Sequence, residues 1–344
     1  MTLAFTIGQA DQQNAHEPFQ SLQSRVHRSI ASHTEFSLDR IVTQDNRVKY
    51  TNQGRTETST DHLDEVFHLM RQLNELGIGS DTLGRMQENG RSFRDALRHC
   101  CERVAADFSG EPLVYVELGP EPIKTGYIVK TLLALGVTFD RYIAVDINPK
   151  SAAPMRAALE NILPDTPLDF VTAPFEEFSL ERYLGDGTPR ALVTMLGFQE
   201  GNDDPYTVNG WLKTIARPGD LLLSESQLYK AGQIDKIPYF YANPAMQRFS
   251  RIAFEQSIDR AMPTLNRFFL LPVPFRDGET AQVAILGEEF SNAISGRSLH
   301  VSNFCLKLTL DQYRHYRQHG GHFEITGETF TDDETLHFQL SRRV

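Results

Sequence analysis

Acidic and glycine residues follow two successive apolar segments, at a spacing suited to binding a nucleoside. Glu117, Leu118 and Gly119 close the first segment, and glycine lets the backbone approach a ligand closely. Asp146 closes the second segment, about thirty residues downstream, where a carboxylate could accept hydrogen bonds from both hydroxyl groups of a ribose. The spacing therefore predicts a nucleoside site that contains Gly119 and Asp146, although an acid at this position could also serve only as a helix cap.

The loop after Gly119 differs from the dinucleotide-binding fingerprint. The segment GPEPIKTG places Pro120, Glu121 and Pro122 where the G-x-G-x-x-G pattern has flexible glycines. Glu121 would lie near the pyrophosphate of NAD and repel it. The sequence therefore argues against a nicotinamide dinucleotide and is more compatible with a zwitterionic sulfonium cofactor.

The elements that position these residues alternate between strand and helix. Short apolar runs begin at residues 113, 141, 168, 191 and 220, and segments with helical periodicity separate them. Five strands that alternate with helices predict a parallel, doubly wound α/β sheet. The last runs, HFEITGETF and LHFQLSRRV, flank a turn at Thr331-Asp332-Asp333 and predict an antiparallel hairpin. Such an ending is typical of Rossmann-like class I methyltransferases.

The remaining segments define four predicted parts of the chain. Residues 1–94 are expected to form a helical part of a substrate domain, and residues 95–228 the methyltransferase core. Residues 229–307 mix aromatic, proline and polar residues without a strand–helix rhythm and are predicted to form an inserted, mixed substrate-binding segment. Residues 308–344 supply the helix and hairpin that complete the core.

Composition excludes several classes of function. The formal net charge is −11, whereas a sequence-independent grip on nucleic acid needs clustered Lys and Arg. No signal-like or membrane-spanning apolar run appears, so we expect a cytoplasmic protein without a membrane partner. Three cysteines without C-x-x-C spacing indicate neither a disulfide framework nor a zinc site, and the spacing of His315, His319 and His322 indicates a polar helix end rather than a metal site. We expect no metal.

Five segments in chain order resemble the histidine-specific methyltransferase family, whose best-known member acts in ergothioneine biosynthesis. They are VYVELGPEPIKT, YIAVDINP, FVTAPFEEF, VTMLGFQEGN and RPGDLLLSES, and weaker similarity extends to both ends of the chain. The resemblance implies S-adenosylmethionine as cofactor, S-adenosylhomocysteine as product, and a small-molecule acceptor. It also implies a role in secondary metabolism, carried out by a monomer or a homodimer.

The resemblance also implies roles for individual residues. Gly119 and Lys124 would contact the methionine part of the cofactor, Asp146 its ribose, and Phe175 its adenine. The cofactor-binding set is completed by Glu117, Leu196 and Gly197. The stretch from Leu196 to Asn202 is similar to the family's substrate-facing loop, so the acceptor would meet Asn202, Glu200, Asn303 and Cys305.

Three departures from the family pattern affect the expected substrate. The glycine-rich loop carries Pro120, Glu121 and Pro122, and Ala173-Pro174 replaces the acid that usually precedes Phe175. Counted back from a lysine, here Lys307, the family places a Glu and a Ser that grip the imidazole, whereas this chain has Asn303 and Cys305 at those positions. We therefore predict that the acceptor is the nitrogen of an amino acid or small amine other than histidine.

Methyl transfer from a sulfonium needs alignment and an acceptor that has lost its proton. Tyr50 and Tyr206 are the candidate catalytic residues, because a tyrosine near the methyl group could orient or accept that proton. Two alternatives stay open. One is an O- or C-methyltransferase, or non-methyl chemistry on the same fold; the other is a catalytically silent binding paralogue.

Overall fold

A computed structural model describes residues 4–7, 20–43, 50–51, 62–185, 187–258, 261–275, 278–292 and 296–344. The sequence predicts Ser59 or Thr60 as the N-cap of a helix that contains Leu63, and both residues lie outside the described ones. Contacts divide the chain into two compact units. Unit 1 contains residues 1–62, 201–204 and 229–310, and unit 2 contains residues 63–200, 205–228 and 311–344.

Unit 2 contains a seven-stranded sheet with helices beside it. Its strands are β3 (Leu113–Leu118), β4 (Phe139–Asp146), β5 (Leu168–Thr172), β6 (Ala191–Met195), β7 (Leu221–Gln227), β11 (Phe323–Phe330) and β12 (Leu336–Arg343). Their spatial order is β11-β12-β7-β6-β3-β4-β5. The strands from β3 to β7 pair in parallel, whereas β12 runs antiparallel to both β7 and β11. The doubly wound sheet and the terminal antiparallel hairpin predicted from the sequence are confirmed.

The helices of unit 2 bury apolar faces against this sheet or against one another. They are α2 (Leu63–Gly79), α3 (Phe93–Asp107), α4 (Pro122–Ala134), α5 (Ala152–Leu159), α6 (Leu180–Leu184), α7 (Pro205–Ile215) and α10 (Leu310–Gln318). Helix α3 begins with a capping box in which Ser92 and Asp95 satisfy each other's backbone N–H groups. Two apolar clusters form the core of unit 2 and bury all of β3 and residues 142–145 of β4, as the interior of a parallel sheet requires.

Unit 1 is built on a five-stranded sheet in the order β1-β8-β9-β10-β2. The strands are β1 (Ala4–Ile7), β2 (Ile41–Thr43), β8 (Pro263–Pro274), β9 (Thr280–Asn292) and β10 (Gly296–Lys307). Helices α1 (Leu22–His33), α8 (Lys236–Tyr241) and α9 (Pro244–Ser257) pack on it. The segment after residue 229 therefore contains three long antiparallel strands that the sequence pattern did not indicate.

Helix α2 lies in the predicted N-terminal part of the chain, residues 1–94, but packs within unit 2. Its residues Leu63, Val66 and Leu69 are buried, and the helix contacts α3 and α4 within unit 2. This apolar face is covered by helices of unit 2, which begins at residue 63.

Candidate functional site

Three strand ends meet at the carboxyl edge of the seven-stranded sheet. The backbone N–H of Gly119 donates to Val145 O at 2.9 Å, which places the loop after β3 beside Asp146 at the end of β4. The N–H of Ala173 donates to Asp146 O at 3.1 Å and adds the segment after β5, which leads to Phe175. Doubly wound sheets bind ligands at this edge, next to the strand where the order reverses, which here is β3.

Gly119 adopts a conformation that favours glycine. Its φ is +68°, in the left-handed region, and a Cβ at this position would collide with the side chain of Gln199. The amide nitrogen of Gln199 donates to Leu118 O and Gly119 O, both at 3.3 Å. The Gln199 side chain therefore lies on the backbone of the loop that was predicted to approach the cofactor.

Asp146 combines burial with local hydrogen bonds. Its Oδ1 accepts from the backbone N–H of Asn148 at 2.9 Å. Burial raises the pKa of Asp146 to about 6, while hydrogen bonds from Asn148, Ser151 and Ile147 partly offset this increase. Asp146 is therefore mostly ionised at neutral pH, and an ionised carboxylate can accept hydrogen bonds from ribose hydroxyls.

Glu117 has a different environment from the one expected of a cofactor contact. Thr125 Oγ1 donates to both carboxylate oxygens at 2.7 Å, and Tyr142 Oη donates to Oε2 at 2.8 Å. Burial raises the pKa of Glu117 to about 8, despite these two donors. Glu117 is thus a neutral acid at pH 7 that ties helix α4 to strands β3 and β4.

Two further acidic residues, Glu121 and Glu225, bind groups of helix α4. The Glu121 carboxylate caps α4 by accepting from the backbone N–H groups of Ile123 at 2.8 Å and Lys124 at 2.9 Å. Burial raises the pKa of Glu121. Lys124 Nζ forms a buried ion pair with Glu225 Oε2 at 2.6 Å, and the N–H of Gly197 donates to the same oxygen at 3.1 Å. Lys124 and Gly197 were expected at this edge, but their shared partner Glu225 was not.

Phe175 and Leu196 are both close to this edge. Phe175 opens a 3₁₀ turn after β5 and packs, partly buried, against an apolar cluster of unit 2. Leu196 is buried directly after β6. The structure thus brings together the ends of β3, β4, β5, β6 and β7, where all seven residues predicted to bind the cofactor are located.

Glu200 is held inside unit 2 by three side chains. Its carboxylate accepts from Ser224 Oγ at 2.6 Å and from Tyr313, and it forms an ion pair with Arg317. Arg317 in turn donates to Asn209 Oδ1 at 3.0 Å. Glu200 was predicted to contact substrate, but these internal partners engage both of its oxygens, so the structure gives it the role of fixing the 3₁₀ turn Gln199–Asn202.

The other candidate substrate residues lie in unit 1. Cys305 is buried on β10, and its Sγ lies 3.4 Å from Lys307 Nζ. A Cβ at Gly201, which precedes Asn202, would be 2.6 Å from that sulfur, so the turn carrying Asn202 packs on Cys305. Asn303 is partly buried at a β-bulge. Burial lowers the pKa of Lys307, despite the nearby Cys305.

The two candidate tyrosines are in different units. Tyr50, in unit 1, stacks on Phe249 with ring centroids 6.1 Å apart. Tyr206, in unit 2, packs edge-on against Tyr316 at 5.2 Å and His319 at 4.6 Å. The structure therefore gives each ring a packing partner, and a catalytic role for either stays a prediction.

Two properties of the described residues concern metal binding and membranes. In this part of the molecule, no group of three or more His, Cys, Asp or Glu side chains is arranged to hold a metal ion. None of its helices combines the length and apolar character that crossing a bilayer requires.

The strand order, with β12 lying antiparallel between β11 and β7, defines the class I methyltransferase fold. The predicted fold class is therefore confirmed. No family model and no curated protein matches the chain. Among solved structures it is similar to the PH0226 protein of Pyrococcus horikoshii OT3, with 9% identity over 80% of this chain and 98% of that one and a TM-score of 0.43.

Two similar structures have named activities. The 1,6-didemethyltoxoflavin-N1-methyltransferase of Burkholderia thailandensis, with bound S-adenosylhomocysteine, is 11% identical over 84% of this chain and 93% of that one, with a TM-score of 0.38. The mitomycin 7-O-methyltransferase MmcR is 12% identical over 82% and 67%, with a TM-score of 0.39. At these identities and TM-scores, the similarity assigns no function to this chain.

Proposed function

We propose that this chain is an S-adenosylmethionine-dependent methyltransferase that acts on the nitrogen of an amino acid or a related small amine. The observation that carries the proposal is the contact between the Gly119 loop and the strand end bearing Asp146, in a sheet with the class I strand order. This edge offers an ionised carboxylate for ribose and a close backbone approach, which fits an adenosyl group.

The cofactor would be held by residues from successive strand ends. Asp146 accepts from the ribose hydroxyls, Phe175 and Leu196 flank the adenosyl group, and Gly119, Lys124 and Gly197 contact the methionyl end. When bound, the cofactor supplies an electrophilic methyl group. Glu117 supports the loop through Thr125 and Tyr142.

Substrate recognition is assigned to unit 1, which carries Asn202, Asn303 and Cys305. Asn202 and Asn303 offer donors and acceptors to an amino acid, but neither Asn303 nor Cys305 supplies a carboxylate for an imidazole. This residue set supports an acceptor other than histidine. Tyr50 and Tyr206 are the candidates for orienting the acceptor amine, and phenylalanine substitutions that lower kcat without changing cofactor affinity would identify the one that does so.

Calorimetry with S-adenosylmethionine and S-adenosylhomocysteine tests the cofactor assignment, with the Asp146→Ala variant as control. We expect both ligands to bind the wild-type protein and the variant to bind at least about tenfold more weakly, on the order of 1.4 kcal/mol. Labelled cofactor and a panel of amino acids then identify the acceptor. Transfer of label to oxygen or carbon would contradict the nitrogen assignment.

A silent binding protein is the second candidate, and Gln199 is the observation that favours it. Its amide lies on the Gly119 backbone that a cofactor must approach. If Gln199 blocks the site, the wild-type protein will bind neither ligand and Gln199→Ala will bind both. If the side chain moves aside in an active enzyme, both proteins will bind.

A further inference from the structure

The ion pair between Lys124 and Glu225 lies at the same edge of the sheet as Gly119 and is almost sealed from solvent. Lys124 is 5% exposed and Glu225 is 2% exposed. A buried ion pair is costly to break unless each charged group obtains a new partner of the opposite charge. A ligand that carries only one charge would therefore leave the other group of this pair uncompensated.

The charges at the start of α4 leave Lys124 as the group that meets an incoming carboxylate. Helix N-termini often bind anions through free backbone N–H groups. Here the Glu121 carboxylate already accepts from the N–H groups of Ile123 and Lys124. A ligand carboxylate at this helix must therefore rely on the Lys124 ammonium group, which is the partner of Glu225.

The Glu225 carboxylate retains capacity on one oxygen. Lys124 Nζ and the N–H of Gly197 both contact Oε2, at 2.6 and 3.1 Å. Among the described residues, no hydrogen bond reaches Oε1. Glu225 can therefore accept a further donor, and an ammonium group is the donor that best compensates a buried carboxylate.

We propose that Glu225 is a cofactor-specificity residue that receives the α-ammonium group of the cofactor's methionyl end, while Lys124 exchanges its bond to Glu225 for the ligand carboxylate. The inference rests on the proposed function. An α-amino acid zwitterion brings one charge of each sign, so both members of the pair keep a partner through the exchange. Lys124 follows Gly119 in the same loop-helix segment, which favours the methionyl end over a separate acceptor amino acid.

Two ligands isolate this interaction. S-Adenosylhomocysteine contains the amino acid group, whereas 5′-methylthioadenosine shares the adenosine and the thioether but lacks the ammonium and carboxylate. Calorimetry on the full-length protein should show S-adenosylhomocysteine binding more tightly, on the order of a hundredfold. In Glu225→Gln this preference should fall about tenfold or more, with 5′-methylthioadenosine affinity unchanged within about threefold.

Two further variants complete the test. The double variant Lys124→Gln, Glu225→Gln removes both charges together, so it avoids an unpaired buried ion and keeps the test available if the single variant does not fold. It should also lose the preference. The matched control Asp169→Asn, in the partly exposed pair with Arg141 on strands β4 and β5, should retain it.

The possible results separate this inference from the proposed function. If a folded single or double variant still prefers S-adenosylhomocysteine over 5′-methylthioadenosine as the wild type does, the role of Glu225 is overturned. The same result is expected if the acceptor amino acid, and not the cofactor, binds to the ion pair. Binding of neither ligand to the wild-type protein overturns the cofactor assignment itself. Loss of the preference in both variants, with retention in the control, supports the exchange.

Discussion

Replacing Glu117 with glutamine should make the protein more stable at neutral pH. Its carboxyl group is buried and has a pKa of about 8, compared with a usual value of 4.5. The folded state therefore binds a proton that the unfolded state has lost between these pH values, so the stability contributed by this proton falls as pH rises from 4.5 towards 8. Glutamine is neutral throughout and keeps an oxygen that can accept from Thr125 and Tyr142.

The expected gain follows from the pKa shift. Above its usual pKa, Glu117 is ionised in the unfolded chain and must take up a proton on folding. The free-energy cost of that protonation grows by about 1.4 kcal/mol per pH unit. By pH 7 this amounts to about 3 kcal/mol, an upper value because Gln replaces a protonated acid whose hydrogen bonds it copies only in part. The gain in stability should nearly vanish at or below the usual pKa, where Glu117 is largely neutral in both the folded and the unfolded state.

Urea unfolding across this pH range measures the effect, with the fluorescence of Trp211, the single tryptophan, as reporter. The exposed Glu181→Gln variant serves as control and should show no such gain. A Glu117→Gln variant that is less stable than wild type at neutral pH, or whose advantage is independent of pH, would refute the burial argument. Cofactor affinity at pH 7 should be unchanged, because Glu117 is already neutral there.

Three further predictions concern the same edge. Lowering the pH through about 6 should protonate Asp146 and weaken S-adenosylhomocysteine binding, whereas Asp146→Asn should bind weakly at every pH, as calorimetry can measure. Arg317→Met should leave the Glu200 carboxylate buried without its cation and cost about 3 to 5 kcal/mol in urea unfolding; a loss below 1 kcal/mol would show that Ser224 and Tyr313 suffice. Gly119→Ala should lower the free energy of unfolding by about 1 to 2 kcal/mol, because residue 119 has a positive φ. Adding Gln199→Ala should relieve only the collision with the Gln199 side chain. Full recovery of stability in the double variant would contradict the backbone argument.

The sequence pattern located the strands of unit 2 well but not those of unit 1. Strand β3 was predicted from residue 113 and observed at Leu113–Leu118, because strands of a parallel sheet are buried on both faces and form distinct apolar runs. Strands β8, β9 and β10 contain prolines, charged residues and a bulge. They therefore lack the regular alternation by which an antiparallel strand is recognised.

Long-range pairing explains what sequence reasoning missed at the site. Lys124 and Glu225 are 101 residues apart and lie on different elements, so their spacing carries no signal of an ion pair. Glu117 and Asp146 both end a strand, yet only the fold shows that Thr125 and Tyr142 surround the first. The pattern could identify acidic residues at strand ends but not the pKa of each.

Four carboxyl groups share one edge of the sheet, and their different environments limit which ligand can bind. Glu117 is neutral at pH 7, Glu121 caps the N-terminus of α4, and Glu225 forms an ion pair with Lys124. Asp146 adds an ionised group that forms no ion pair with any of the described residues. A pyrophosphate would bring two more negative charges to this edge, where Lys124 is already paired with Glu225. An adenosyl ligand whose charge lies in an ammonium, a carboxylate and a sulfonium brings more positive than negative charge, so electrostatics at this edge favours it over a dinucleotide.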